Sequence, residues 1–175
     1  MAEKKLGKIH VYTGNGKGKT TASFGLAIRA AGRGLSVLII QFLKGKTESG
    51  EVISVRRLGI KVEQYGTGSF LWQEELSKED RLEAEKAFAR AEKALMNREA
   101  DLIILDEINV AVTLNIVSID DLLRIIDSKP KDVELVLTGR GAKQELIARA
   151  DYVTEMLLQK HPYEKGSGAR IGIEY

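Results

Sequence analysis

A segment rich in glycine and lysine, residues 13–21, separates an apolar run from a helical stretch near the start of the chain. The run Ile9 to Tyr12 predicts a buried strand, and residues 20–31 predict a helix that ends at Gly32 and Gly34. Glycine allows the backbone to curl so that several amide groups point inward, beside the partly positive N-terminus of a helix. This order of strand, loop and helix predicts a cradle for phosphate groups at the edge of a sheet.

Individual residues of the segment match the roles that such a loop requires. Lys19 is expected to reach the phosphates, and the Thr20 hydroxyl is expected to hold Mg²⁺. The strict phosphate-loop pattern has glycine where this chain has Thr13, so Gly14 and Gly16 are expected to curl the backbone instead. A glycine-rich turn with unrelated lysines is the alternative, but the strand before the segment and the helix after it favour phosphate binding.

Short β-branched runs alternate with helical stretches along the rest of the chain. The predicted strands are residues 9–12, 37–42, 60–65, 102–105, 133–137 and 152–158. Further helices are predicted from Ser77, over residues 119–127 behind Ser118, and up to Ala150. Apolar strands separated by helices predict an α/β fold with three layers, in which helices cover a largely parallel sheet of about six strands. The length and the lack of an obvious linker predict a single domain, residues 1–175.

Charged residues follow several predicted strands and are expected to meet at one edge of the sheet. Asp106 and Glu107 close the fourth strand, and one of these carboxylates is expected to hold Mg²⁺ directly or through water. Arg140 follows the fifth strand and suits either a bidentate phosphate contact or a surface position at a helix start. Lys44 and Glu51 follow the second strand, where contact with a substrate and simple solvation are equal alternatives.

The composition excludes several functions. The chain has no cysteine, which excludes disulfides, thiolate metal sites and cysteine nucleophiles. A net charge of +2 gives no indication of a nucleic-acid partner. No apolar run has the length of a signal-peptide core or a membrane span, so we expect a cytoplasmic protein without a membrane partner.

Further short segments follow the loop in an order that is specific, although each segment is weak alone. They are Gln41-Phe42-Leu43-Lys44-Gly45, Gly66-Thr67-Gly68-Ser69-Phe70-Leu71-Trp72, Leu105-Asp106-Glu107-Ile108, Thr138-Gly139-Arg140-Gly141, Ala150-Asp151-Tyr152-Val153-Thr154-Glu155-Met156, Lys160-His161-Pro162-Tyr163 and Gly172-Ile173-Glu174-Tyr175. Together with the loop they resemble the ATP:cob(I)alamin adenosyltransferases over nearly the whole chain. The resemblance implies a P-loop NTPase architecture of the RecA-like type.

The resemblance also implies an activity. Members of this family transfer the 5′-deoxyadenosyl group of ATP to the cobalt(I) of a corrinoid, which gives adenosylcobalamin or an adenosylated precursor and triphosphate. The implied substrates are ATP and cob(I)alamin or another reduced corrinoid, and the implied cofactor is Mg²⁺ or Mn²⁺. A homodimer is implied as well, with a flavoprotein reductase as a possible source of the electron.

Matching the family's motifs to this chain implies the residues of the nucleotide site. The loop residues that would hold the triphosphate are Gly14, Asn15, Gly16, Lys17, Gly18, Lys19, Thr20 and Thr21. Arg29 would lie near the nucleoside. Thr20 and Glu107 would serve the metal ion, with Asp106 beside them.

An aromatic pair is implied on the corrinoid side of the site. Phe70 and Trp72 match two rings that pack against the lower face of the corrin and exclude the axial ligand. Ser69 separates this pair from Gly68, whereas the family commonly has glycine directly before phenylalanine. The segment before the first strand is also shorter than in several relatives, in which a longer one covers the site.

The expected chemistry needs no protein base. Cobalt(I) is itself a strong nucleophile, so the protein has to align the reactants and neutralise the leaving triphosphate. Lys17 and Lys19 suit the second task, which makes them catalytic candidates beside the aromatic pair. His10 and His161 are predicted to be structural.

Two other functions fit parts of the sequence. A phosphoryl-transferring kinase or ATPase, with Glu107 as a base, explains the loop and the acidic pair equally well. It leaves Phe70, Trp72 and the carboxyl-terminal segments unexplained. A nucleic-acid module driven by ATP is disfavoured because the chain has no concentrated basic segment.

Overall fold

The computed structural model describes residues 6–45, 48–68, 76–160 and 170–173. The strands in this part of the chain are β1 (Ile9–Thr13), β2 (Val37–Gln41), β3 (Lys61–Gln64), β4 (Leu102–Asp106), β5 (Glu134–Thr138) and β6 (Tyr152–Glu155). The helices are α1 (Lys19–Ala31), α2 (Gly50–Arg57), α3 (Lys78–Met96), α4 (Ile108–Thr113), α5 (Ile119–Asp127) and α6 (Gln144–Arg149).

The six strands form one sheet in the order β3-β2-β4-β5-β1-β6, and every neighbouring pair is parallel. The register brings the carboxyl ends of the strands level. Gln41 lies opposite Asp106, and Thr138 lies opposite Tyr12. Because the strands end level, the loops that follow them meet at one edge of the sheet, as the sequence predicts.

Helices cover both faces of the sheet, which confirms the predicted three layers. Alternate residues of β4 point to opposite faces: Leu102 and Ile104 pack in the cluster that includes residues of α1 and α2. Ile103 and Leu105 pack in the cluster with residues of α3, α4, α5 and α6. Burying each such side chain contributes about 1.5–3 kcal/mol. The two apolar clusters therefore hold a rigid sheet beneath the loops at its carboxyl edge.

Helix starts follow the capping residues that the sequence predicts. Ser77 accepts a hydrogen bond of 3.0 Å from the backbone N–H of Asp80 at the start of α3. Ser118 accepts an equivalent bond of 3.0 Å from Asp121 at the start of α5. Such a cap contributes about 1 kcal/mol because it satisfies a backbone donor that the helix leaves free.

Two helices and one strand end differ from the sequence prediction. Neither α2 nor α4 was predicted, since α2 buries only Val52 and Val55 and α4 is a six-residue helix that is apolar along most of its length. The predicted strand over residues 152–158 ends at Glu155. The chain leaves the sheet there because the Met156 carbonyl accepts a hydrogen bond of 2.6 Å from the Gly16 N–H. In the described ranges, no helix combines the length and the apolar character that a membrane crossing requires.

Candidate active site

The glycine-rich loop wraps around the junction between β1 and α1. Gly18 has a φ of 110°, a left-handed conformation that favours glycine, and it directly precedes the first residue of α1. A Cβ on Gly16 would lie 2.6 Å from the carbonyl oxygen of Met156, so a side chain has no room there. Thr13 belongs to β1, where it pairs with Glu155, which is why the loop does not need glycine at that position. The curl therefore begins one residue later than in the strict pattern.

Lys19 points back into the loop that precedes it. Its Nζ donates hydrogen bonds of 2.8 Å to the carbonyl of Gly14 and 2.7 Å to the carbonyl of Gly16. The side chain is buried, with 7% of the residue exposed. Burial lowers the pKa of Lys19 below its ordinary value, although the nearby carboxylate of Glu107 favours the charged form. A cation is thus held in the hollow of the loop.

Asp106 lies fully buried at the end of β4 and accepts bonds on both carboxylate oxygens. Oδ1 accepts from Thr20 Oγ1 at 2.9 Å and from Thr138 Oγ1 at 2.7 Å. Oδ2 accepts from Gln41 Nε2 at 2.9 Å and lies 3.1 Å from Lys44 Nζ. Burial opposes ionisation, but the Lys44 charge and these hydrogen bonds outweigh it and lower the pKa of Asp106. Asp106 is therefore a carboxylate that links α1, β2 and β5.

Glu107 is partly buried and has a left-handed backbone, with a φ of 65°. Its N–H donates a hydrogen bond of 3.0 Å to Thr138 Oγ1, which in turn donates to Asp106. A non-glycine residue in this conformation costs free energy and is common where a side chain must be aimed at a ligand. Burial and the negative charge of Asp106 raise the pKa of Glu107. The fold therefore holds an acidic residue with an unfavourable backbone conformation beside the loop.

A cavity of about 580 Å³ opens over these groups, within the range that small-molecule sites occupy. It is lined by Asn15, Gly16, Lys17, Gly18, Lys19, Thr20, Thr21, Lys44, Gly50, Glu51, Ser54, Glu107, Arg140, Gly172 and Ile173. The loop amides, the N-terminus of α1 and four basic side chains make this cavity suitable for a polyphosphate.

A family model described as ATP:corrinoid adenosyltransferase BtuR/CobO/CobP matches residues 5–175. The chain belongs to this family. The recognition made from the order of the short motifs is thereby confirmed, and the fold is the α/β arrangement which that recognition implies.

Three relatives of this adenosyltransferase family member are similar over its whole length. The corrinoid adenosyltransferase of Pseudomonas aeruginosa is 37% identical over 176 residues, which covers 100% of this chain and 87% of the relative. The corrinoid adenosyltransferase of Escherichia coli is 33% identical over 175 residues, covering 100% of this chain and 89% of the relative. The corrinoid adenosyltransferase CobA of Salmonella typhimurium is 32% identical over 175 residues, with the same two shares.

Most residues predicted for the nucleotide lie together in this family member. Residues 15–21, Glu107 and Arg140 all line the cavity, while Asp106 lies beneath it and Gly14 supports Lys19. Lys17 Nζ donates to the carbonyl of Ile173 at 3.4 Å, at the cavity wall.

Of the three remaining predicted residues, one lies away from the cavity and two fall outside the described part of the chain. Arg29 is exposed on the last turn of α1 and does not line the cavity, so its contact with the nucleoside stays a prediction. Phe70 and Trp72 lie outside the described residues.

The two histidines were predicted to be structural. His10 Nε2 lies 2.7 Å from Glu134 Oε1, and the ring stacks on Tyr152 away from the cavity lining. His161 lies outside the described residues.

Sequence reasoning missed three contributors to the site. Gln41 and Thr138 were given no role, and Lys44 was left between two alternatives. Gln41 and Thr138 are each a polar residue that ends an apolar strand, and this is the signal that identifies them. For Lys44 the structure argues against simple solvation, because its ammonium lies 3.1 Å from a fully buried carboxylate, and its contact with a substrate stays a prediction.

The oxygen donors fit a divalent cation that shares its coordination with phosphate. Among the described residues, no group of three or more histidine or acidic side chains is gathered closely enough to hold a metal alone. Thr20 and Glu107 offer a hydroxyl and a carboxylate at the cavity wall. Mg²⁺ binds hard oxygens, keeps several waters and commonly uses only one or two carboxylates beside substrate phosphates.

Proposed function

We propose that this chain transfers the 5′-deoxyadenosyl group of ATP to the cobalt of a reduced corrinoid. The observation that carries the proposal is the cavity itself, in which a phosphate loop, Lys19 and Glu107 face one space in a member of the ATP:corrinoid adenosyltransferase family. The substrates are ATP and cob(I)alamin or another reduced corrinoid.

The reaction is a displacement at carbon. The electron pair of cobalt(I) attacks the 5′-carbon of ATP and forms the cobalt–carbon bond, so that the cobalt becomes cobalt(III). The bond between the 5′-carbon and its oxygen breaks, and the triphosphate leaves with that electron pair. No proton has to be removed from either reactant, so no protein base is required. Alignment and stabilisation of the departing charge are the tasks that remain for the protein.

Basic groups of the cavity are proposed to stabilise the departing triphosphate. The Lys19 ammonium would exchange its bonds to the carbonyls of Gly14 and Gly16 for phosphate oxygens. A phosphate oxygen carries a negative charge that a carbonyl oxygen lacks, so it attracts the ammonium more strongly and favours the exchange. Lys17 and Arg140 lie at the same wall and would contact outer oxygens of the triphosphate.

Thr20 and Glu107 are proposed to hold Mg²⁺ or Mn²⁺ together with the nucleotide. The bound ion supplies positive charge that offsets the charge of the triphosphate. Asp106 has a different task, since its hydrogen bond orients the Thr20 hydroxyl and its ionised state fixes Lys44. Of the two acidic residues, Glu107 is thus proposed as the metal ligand at the cavity, and Asp106 as the carboxylate beneath it that positions Thr20 and Lys44.

A homodimer, a flavoprotein reductase as electron donor and a cytoplasmic location are further parts of the proposal. The homodimer and the reductase rest on the family resemblance alone, and the location rests on the sequence, in which no apolar run has the length of a signal-peptide core or a membrane span. Light scattering of the purified chain tests the dimer directly, and a mass equal to one chain would contradict it.

Phosphoryl transfer is the rival function, because a partly buried carboxylate with a raised pKa at a phosphate loop also suits a base. The products separate the two. Phosphorus NMR of the reaction mixture shows intact triphosphate after adenosyl transfer, and ADP with phosphate after phosphoryl transfer. ADP and phosphate that form equally fast with and without a corrinoid would favour the rival.

Changing both Phe70 and Trp72 to alanine is expected to slow adenosylation that starts from cobalt(II) by at least about tenfold. Apolar rings below the corrin remove the axial ligand, and a cobalt without that ligand is reduced more easily. With chemically generated cobalt(I), the same variant should recover most of its rate.

Leu71→Ala is the matched control, since it removes an apolar side chain from the same segment. It should lose much less activity from cobalt(II). Equal losses of the double variant from cobalt(II) and from cobalt(I) would rule out the ligand-removal role.

A further inference from the structure

Lys44 is held in place by the backbone of the turn that follows β2. The preceding residue, Leu43, is buried and has a φ of 56°, a conformation that is unfavourable for a branched side chain. The Lys44 N–H donates a hydrogen bond of 3.0 Å to the carbonyl of Tyr65. A Cβ on Gly66 would lie 3.0 Å from the Lys44 nitrogen, so the two turns pack without space between them. The fold therefore directs this lysine to one place in the cavity.

The Lys44 ammonium lies between the Asp106 carboxylate, which positions Thr20, and the Thr20 hydroxyl, which is proposed to hold the divalent cation. Its Nζ is 3.1 Å from Asp106 Oδ2 and 3.3 Å from Thr20 Oγ1. Glu107 also favours the charged form of Lys44 and lies at the same cavity wall. A positive charge is thus present where the acidic pair and the Thr20 hydroxyl meet.

We propose that Lys44 is a built-in counter-cation that keeps a bare divalent ion out of the site and moves to the triphosphate when metal and nucleotide bind together. The inference rests on the metal-binding part of the proposed function. It assigns to Lys44 the role of making metal binding depend on the nucleotide, and gives it no part in the transfer step itself.

Charge balance explains why the nucleotide is needed for the exchange. A metal ion that enters alone must repel or displace an ammonium that is paired with a buried carboxylate, and separating that pair is costly. A triphosphate brings several negative charges to the same cavity and offers the ammonium a new partner. Lysine has a flexible four-carbon stem, so the charge can move without a change in the backbone. Metal and nucleotide are therefore expected to bind with positive coupling.

Manganese binding, measured by electron paramagnetic resonance without corrinoid, tests the inference. Lys44→Met should bind Mn²⁺ in the absence of ATP at least about tenfold more tightly than the unaltered protein. In the unaltered protein ATP should strengthen Mn²⁺ binding strongly, and in the variant this coupling should be smaller.

Lys17→Met is the matched control, because it removes the same charge from the same cavity but at the wall beside Ile173. It should change the affinity for Mn²⁺ alone far less. Equal Mn²⁺ affinities of Lys44→Met and the unaltered protein without ATP would overturn the inference, and so would equal gains in both variants. If the unaltered protein binds no Mn²⁺ even with ATP, the metal-binding part of the proposed function is wrong, and this inference is wrong with it. Adenosyl transfer is tested separately by its products.

Chemical labelling of the unaltered protein provides a test that does not depend on a folded variant. An amine-reactive reagent, with quantification by mass spectrometry, should label Lys44 more in the presence of saturating Mn²⁺ than in its absence, because the ion displaces the ammonium. Lys129 is the internal reference, since its Nζ is bonded to the carbonyls of Gly7, Pro130 and Val133. Unchanged or reduced labelling of Lys44, at Mn²⁺ concentrations that electron paramagnetic resonance shows to fill the site, would contradict the proposal.

Discussion

Lys19→Met is expected to lower the rate of adenosyl transfer from chemically generated cobalt(I) by about 10²- to 10³-fold. The variant keeps an unbranched side chain but removes the cation that is held in the hollow of the loop. Charge develops on the triphosphate as the bond to the 5′-carbon breaks, so a cation at that place stabilises the transition state more than the bound substrate. A single-turnover experiment, with triphosphate release as the readout, measures this effect.

Lys93→Met is the control for a general loss of charge. Lys93 is exposed near the end of α3 and is not among the residues that line the cavity. This variant should keep the rate of the unaltered protein. Because Lys19 also bonds two loop carbonyls, thermal unfolding of Lys19→Met has to be recorded as well. A folded Lys19→Met protein with a rate within about threefold of the control would contradict the role of Lys19.

Glu107→Gln is expected to lower the rate about 100-fold or more while it raises the free energy of unfolding. The rate falls because the carboxylate proposed to hold the metal ion becomes a neutral amide. Stability rises because folding raises the pKa of Glu107, which means that the folded protein disfavours the charged form at neutral pH. The stability that such a group contributes is fully present below its unfolded pKa and is lost as the pH rises through its folded pKa. Glutamine has no charge to desolvate at any pH.

Asp106→Asn is the comparison that distinguishes the gain in stability expected of Glu107→Gln from a general effect of removing a carboxylate. Folding lowers the pKa of Asp106, so its ionised form contributes stability that is lost only as the pH falls through the folded value. An amide cannot accept the bonds from Gln41 and Lys44 as the carboxylate does, so both stability and activity should fall. Rate assays and denaturant titrations of the two variants test the contrast. A Glu107→Gln protein that is less stable than the unaltered chain would show that the carboxylate is structural.

The layers of the fold were predictable because their signals are local in the sequence. Strands β2 and β4 are buried along their whole length and therefore read as continuous apolar runs. The end of β6 was not predictable in this way. It is set by the hydrogen bond between Met156 and Gly16, two residues that lie far apart in the sequence.

In the site, as in the fold, contiguous motifs could be recognised in the sequence, and contacts between distant residues could not. The loop and the acidic pair are contiguous motifs, so expected roles for Lys19 and Thr20 follow from spacing, whereas the choice of Glu107 within the acidic pair came from the family resemblance. The four partners of Asp106 come from three separate segments that meet only through the register of the sheet. No local pattern indicates that Lys44 reaches a carboxylate 62 residues later in the chain (106 − 44 = 62). Contacts of this kind require the folded sheet.

The most direct test of the central claim mixes the purified chain with Mg²⁺, ATP and chemically reduced cobalamin under anaerobic conditions. The absorption spectrum reports the light-sensitive cobalt–carbon product, and triphosphate is measured in the same samples. The account predicts that both products form together in equal amounts and that both require the protein. A folded protein that binds ATP but forms neither product, or that releases ADP and phosphate instead, would contradict it.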